Sequence, residues 1–173
     1  MILMDILLLL ILAVCVVTDL KSRKIYNKVI FPSLLLTLVL HLIFGGVSGL
    51  LDSMLGFAVG LGILLIPYLM GGMGAGDVKL LALIGAIKGM AFVLTTSFYM
   101  ALLGGAIALG ILLLRKGFLT RIKGITYSIC SLTYGLRIPL GMDQGDYQKT
   151  YPYGVAIAGG AVVSMVFNGV LLQ

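Results

Sequence analysis

The feature that most constrains the fold is a series of apolar stretches, each about as long as a lipid bilayer is thick. A helix needs roughly 17–25 mainly apolar residues to cross a hydrocarbon core of about 30 Å. The composition agrees with this interpretation, because 61% of the 173 residues are hydrophobic and 10% are charged, whereas roughly a quarter of a soluble domain is charged. We expect an all-α integral membrane protein, since only helices and closed barrels satisfy the backbone in lipid.

Six segments are predicted to be transmembrane helices. The apolar block between Asp77 and Arg115 is too long for one span, and its break at residues 88–89 divides it into a hairpin of two helices. The first helix of this hairpin is short, with about ten residues that rise roughly 15 Å. We expect one membrane-embedded domain over residues 1–173, with spans at 2–18, 29–44, 50–70, 78–87, 91–114 and 153–172.

The positive charges predict the orientation of these spans. With the N-terminus outside, every Lys and Arg except Lys88 falls on the cytoplasmic side, as the positive-inside rule requires. Both termini are then expected outside, in a multi-pass protein of the cytoplasmic membrane. The net charge of +6 is assigned to cytoplasmic loops and lipid headgroups rather than to a nucleic-acid partner.

The acidic residues divide into two groups by position. Four fall where water can hydrate them, at outer helix ends or in the long loop after residue 115: Asp5, Asp52, Asp143 and Asp146. The remaining two, Asp19 and Asp77, lie at the cytoplasmic ends of the first and fourth predicted helices. An ionisable group at the membrane boundary is costly and is a functional candidate by default. The helix order allows these two to be neighbours.

Two carboxylates that share one site can catalyse peptide hydrolysis. Like charges a few ångströms apart cannot both ionise cheaply, so the pair holds one proton. One member can then draw a proton from the attacking water while the other donates a hydrogen bond to the developing oxyanion. We therefore expect Asp19 and Asp77 to form the catalytic pair of an aspartic protease, with no metal and no cofactor.

The glycines before Asp77 allow two interpretations. Gly74 and Gly76 can adopt positive φ and let an extended substrate approach the backbone, or they end a helix and allow close helix packing. Lys79 either acts near the dyad or anchors the helix at the interface. We assign Gly74, Gly76 and Lys79 to substrate binding. The spacing fits neither a dinucleotide fingerprint nor a P-loop, and no strand precedes it.

Three motifs in order resemble those of the type IV prepilin peptidases. Gly74-Ala75-Gly76-Asp77 matches the Gly-x-Gly-Asp signature of intramembrane aspartyl proteases, and Val78-Lys79 follow it as in this family. The segment 18–27, with Thr18-Asp19 and then Ile25-Tyr26-Asn27, is similar to the other catalytic segment. The segment 151–158 is similar to the Pro-Tyr-Gly segment that opens the last helix.

The chain differs from the family pattern at two points. Tyr26 stands where the family commonly has proline, which is expected to change the stiffness of the loop more than its chemistry. The N-terminal extension with paired Cys-x-x-Cys motifs, which accompanies methylation in longer members, is missing here. The resemblance therefore implies the short form, with peptidase activity, no N-methyltransferase activity and no zinc site.

The resemblance also implies a substrate. It would be a type IV prepilin or pseudopilin whose short basic leader is removed at the cytoplasmic membrane boundary. Two other hypotheses remain: a proton-coupled carrier that uses its membrane aspartates, and a catalytically silent pilus-assembly subunit. His41 and the two cysteines, Cys15 and Cys130, are interpreted as packing residues. The pattern leaves the oligomeric state open.

Overall fold

The computed structural model describes residues 2–114 and 153–171, and within these ranges the chain is helical with no strand. This confirms the all-α prediction for this part of the chain. The helices Ile2–Ser22 and Asn27–Leu69 and the segment Met90–Gly110 are each long and apolar enough to cross a membrane. The predictions for Asp143, Asp146 and the rest of the 115–152 loop lie outside the described residues. The helices are α1 (Ile2–Ser22), α2 (Asn27–Leu69), α3 (Ala75–Lys88), α4 (Met90–Leu114) and α5 (Tyr153–Leu171).

Helix α2 consists of two arms, 27–45 and 47–69, that meet at a sharp reversal. Gly46 has φ +61° and ψ −152°, which is not helical. A Cβ on Gly49 would lie 2.8 Å from the carbonyl oxygen of His41, although eight residues of a straight helix span roughly 12 Å. The chain therefore folds back on itself here. The two arms correspond to the predicted helices at 29–44 and 50–70.

Helix α3 is the central element of the core. All its residues from Asp77 to Ile87 are buried except Lys79, which is half-buried. The second arm of α2 runs antiparallel to it, with the Ser53 hydroxyl donating to the Ala86 carbonyl at 2.7 Å. The first arm runs parallel to it, with Lys79 near Asn27 and His41 near Ile87. Because other helices of the protein cover α3 on several sides, this helix of about 21 Å does not need to span the lipid on its own.

Glycines let α2 and α3 approach to backbone contact. A Cβ on Gly56 would collide with the Gly85 carbonyl, and a Cβ on Gly85 would collide with the Gly56 carbonyl. One turn further along the second arm of α2, a Cβ on Gly60 would lie 2.6 Å from the Leu81 carbonyl oxygen. Small residues at these positions bring the helix axes together, as is common in membrane proteins.

The far end of α3 is joined to the start of α1. Lys88 forms an ion pair with Asp5 and lies 5.4 Å from the centre of the Phe92 ring. Helices α1 and α3 are therefore antiparallel, so the end of α1 lies beside the start of α3. His41 packs against α3, with its Nε2 3.2 Å from the Ile87 carbonyl oxygen. Cys15 is buried.

The chain divides into two compact units. Residues 1–104 and 152–173 form one unit, and residues 105–151 group separately. Of the second unit, the structure describes the last turns of α4, which are helical. All the residues of the candidate site lie in the first unit. The single domain over residues 1–173 stays a prediction.

Candidate active site

Asp19 lies in the last turns of α1 and is 5% exposed. The helix continues beyond it to Ser22, with Lys21 in the last turn, so Asp19 lies one turn inside the helix rather than at its end. Its Oδ2 accepts a hydrogen bond of 3.1 Å from the backbone N–H of Gly154 at the start of α5. A buried carboxylate requires such a partner, because burial without one is costly.

Asp77 lies in the first turn of α3 and is 8% exposed. Its Oδ2 accepts a hydrogen bond of 3.3 Å from the N–H of Gly74, and its own N–H donates to the Gly74 carbonyl at 3.1 Å. Gly74 precedes the helix in an extended conformation, with φ −79° and ψ 146°. The carboxylate therefore caps α3 at the end where the helix dipole favours negative charge.

The structure brings Asp19 and Asp77 together. Both are buried and lie at the same end of the antiparallel pair α1 and α3. Such a pair can hold a single proton, with one carboxylate available as a base and the other as an acid. Among residues 2–110 and 153–167, no cluster of three or more His, Cys, Asp or Glu residues suits a metal ion.

The two predicted substrate-binding glycines have different surroundings. Gly76 faces the segment between α1 and α2, where a Cβ would lie 2.9 Å from the Cβ of Ile25. A substrate strand at Gly76 would therefore have to displace Ile25. The positive φ in this region belongs to Gly71, at +77°, which follows the end of α2. The role of Gly74 and Gly76 in substrate binding stays a prediction.

Lys79 is directed toward α2. Its Nζ donates to the Asn27 side-chain oxygen at 3.0 Å and lies 5.4 Å from the centre of the Phe31 ring. These contacts join the start of α3 to the start of α2 on the side of the dyad. They agree with an anchoring function, and a contact of Lys79 with substrate stays a prediction.

Sequence reasoning missed two contacts of the site. It selected the segment 151–158 by resemblance but gave Gly154 no role, although this residue supplies the hydrogen bond to Asp19. It also did not place Ile25 against Gly76. The glycine in the resembling segment was the available signal for the first contact, whereas nothing in the local pattern predicted the second.

Comparison with known proteins identifies the family of the chain. Searches of curated proteins and of solved structures gave no match. The sequence model of the type IV leader peptidase family matches residues 6–109, which is more than half of the chain. This range includes Asp19, Asp77, the whole of α2 and α3, and most of α1 and α4. The chain belongs to the type IV leader peptidase family.

Proposed function

We propose that this protein is an intramembrane aspartic endopeptidase that removes the short basic leader of type IV prepilins or pseudopilins. The observation that carries the proposal is the pair of buried aspartates, 5% and 8% exposed, at one end of the bundle. Family membership supports a leader peptidase in general. The aspartic mechanism is our inference from the pair, and the prepilin substrate follows from the family.

The proposed reaction needs only these two carboxylates and a water molecule. The ionised carboxylate takes a proton from the water molecule while the water oxygen attacks the peptide carbonyl carbon. The protonated carboxylic acid donates a hydrogen bond to the carbonyl oxygen as negative charge develops there. A proton then passes to the leaving amine, the C–N bond breaks, and the dyad returns to its singly protonated state.

We further propose six spans with both termini outside and the dyad at the cytoplasmic boundary. The arms of α2 would each cross the membrane, because at 1.5 Å per residue they are roughly 28 and 35 Å long. The cations Lys21, Arg23 and Lys24 lie on the dyad side of the bundle, where the positive-inside rule favours the cytoplasm. A leader on the cytoplasmic side of a pilin helix would reach the aspartates there.

The test is cleavage of a co-expressed prepilin by the dyad variants. Asp19→Asn and Asp77→Asn nearly keep the shape of the side chain but prevent proton exchange, so each should reduce cleavage by several powers of ten. The double variant should be no worse than either single one, because residues that act as a unit have non-additive effects. Mass spectrometry of the pilin measures the loss of the leader.

Asp52→Asn is the matched control. Asp52 is exposed on the second arm of α2. It lies next to Ser53, which contacts the end of α3 opposite the dyad, so its variant should cleave normally. Thermal melts should show that all variants are folded. Substantial turnover by a folded Asp77→Asn enzyme would defeat the two-carboxylate mechanism. No cleavage by the native chain, for a range of prepilins, would favour the carrier or the silent assembly subunit.

A further inference from the structure

The two aspartates have unequal surroundings, which bears on the part each plays. We propose that Gly154 is a positioning residue that holds Asp19 as the ionised, water-activating member of the dyad and leaves the shared proton on Asp77. The inference rests on the proposed function and goes further, because it assigns separate acid and base roles. Gly154 does not touch the reacting atoms in this proposal and acts through Asp19.

The hydrogen bond from Gly154 comes from a donor that is free for this purpose. The N–H of Gly154 lies in the first turn of α5, where backbone N–H groups have no carbonyl partner within their own helix. It donates to Oδ2 of Asp19 at 3.1 Å. The start of a helix also carries a partial positive charge. Both effects favour the ionised form of Asp19 over the protonated form. Asp77 also lies at a helix start and accepts a backbone hydrogen bond, so the difference between the two aspartates depends on the bond lengths and on the nearby cations.

The contact requires a glycine. A Cβ at position 154 would lie 2.6 Å from Oδ2 and 3.0 Å from Cγ of Asp19. Those distances are shorter than van der Waals contact, so any other residue would push the carboxylate away or displace the start of α5. Gly154 thus brings the donor close and at the same time confines the carboxylate against the helix end.

The ionisable groups around the dyad reinforce the asymmetry. The groups near Asp19 or its donor are Cys15 of α1, Arg23 just after α1, Asp77 of α3 and Tyr153 of α5. The cation of this set, Arg23, attracts the charge of Asp19. Asp77 has a longer bond, 3.3 Å to Gly74, and the nearby cation Lys79 binds Asn27. The proton is therefore better placed on Asp77.

Gly154→Ala tests this assignment through the pH dependence of cleavage. Activity rises with pH as the base ionises and falls as the acid loses its proton. The added methyl group would push the Asp19 carboxylate away from the N–H of residue 154. The weakened hydrogen bond disfavours the ionised form of Asp19, so ionisation should require a higher pH. We expect the acid limb of kcat/KM to move up by about one pH unit, the size expected for one charged hydrogen bond. Raising the pH should then restore part of the activity.

Gly160→Ala on the same helix is the matched structural control. Its Cβ would lie 2.7 Å from the Met100 nitrogen and 2.8 Å from the Thr96 carbonyl oxygen, so it disturbs the packing of α5 on α4 without touching Asp19. It should lower the melting temperature and leave the acid limb unchanged. Equal acid limbs in a folded Gly154→Ala enzyme and the native enzyme would overturn the proposal, as would an equal shift in both variants.

Two further measurements bear on the protonation states of the dyad. If Gly154→Ala does not fold, Arg23→Gln tests the same asymmetry, because Arg23 is exposed and its removal leaves the packing intact. The acid limb should then rise by a few tenths of a unit at low salt, and no rise would overturn the assignment.

An infrared pH titration of the carboxylic-acid C=O stretch, in the native and Gly154→Ala proteins, does not need cleavage. Its midpoint for the dyad should move upward in the variant. An unmoved midpoint would overturn the inference, whereas an inactive native enzyme with the expected shift would contradict only the proposed function.

Discussion

The contact between α2 and α3 gives a quantitative prediction from two neighbouring glycines. Gly60 and Gly62 lie on the same arm of α2, and the first is buried whereas the second is exposed. An added Cβ at Gly60 would lie 2.6 Å from the Leu81 carbonyl oxygen and 2.9 Å from the Ala82 Cα. At Gly62 it would meet nothing within 4 Å. The two alanine variants therefore differ in whether the added methyl group collides with the backbone of α3.

The magnitude follows from comparing the two substitutions. Both gain about 0.4–1 kcal/mol because alanine restricts the unfolded chain. Only Gly60→Ala must also move backbone, since the obstructing atoms belong to α3 itself, and restoring ordinary contact requires a separation of about 1 Å. Overpacking of this kind costs about 1–3 kcal/mol. The free energy of unfolding should therefore be about 1–3 kcal/mol lower for Gly60→Ala than for Gly62→Ala.

The separation should also affect the dyad, because α3 carries Asp77 at its start. A misplacement of about 1 Å can reduce a catalysed rate by roughly 100-fold. Gly60→Ala is therefore expected to lose activity while it remains folded. Gly62→Ala should cleave at the native rate and unfold at or slightly above the native temperature.

The assay is equilibrium unfolding in detergent micelles, followed by circular dichroism, with cleavage measured on the same samples. The difference between the two variants cancels the intrinsic effect of alanine and leaves the overpacking. Equal unfolding free energies for Gly60→Ala and Gly62→Ala would refute the close packing of α2 on α3. Native activity in both variants would show that the dyad is insensitive to the position of α3.

Two other predictions concern the ends of the bundle. Asp5→Asn and Lys88→Met should each lower the free energy of unfolding by about 1 kcal/mol, and a double-mutant cycle should show that the pair is coupled; additive effects would contradict the ion pair. Lys24→Cys should react with a membrane-impermeant thiol reagent from the cytoplasmic side and Ser48→Cys from outside, because the positive charges predict that orientation; the reverse pattern would invert the proposed topology.

Hydropathy predicted where the helices lie but not where they begin and end. The predicted first span ended at residue 18, whereas α1 continues to Ser22, because an apolar criterion stops at Asp19 although the backbone hydrogen bonds do not. The predicted short span began at residue 78, whereas α3 begins at Ala75. Polar and glycine residues at helix ends join the helix through capping, which hydropathy does not measure.

The candidate site was predictable only in part for a related reason. Acidic residues in apolar sequence are conspicuous, so Asp19 and Asp77 could be selected from the sequence, and the order of the helices allowed them to meet. Their hydrogen-bond donors are the backbone N–H groups of Gly74 and Gly154. Nearly every residue carries such a group, so the two aspartates alone do not identify their donors, and the signal for Gly154 was its place in the segment that resembles the family.

Backbone donors also explain how the site can be both buried and reactive. A lysine or arginine paired with each aspartate would hold both carboxylates ionised and prevent them from sharing a proton. A single N–H group satisfies one oxygen at much lower electrostatic strength, and it leaves the other oxygen of each carboxylate for water or substrate. Glycine at both donor positions allows the close approach, since a Cβ on Gly74 would lie 3.2 Å from Oδ2 of Asp77 and one on Gly154 still closer to Asp19. Because these glycines have no side chain, each N–H can approach its carboxylate closely.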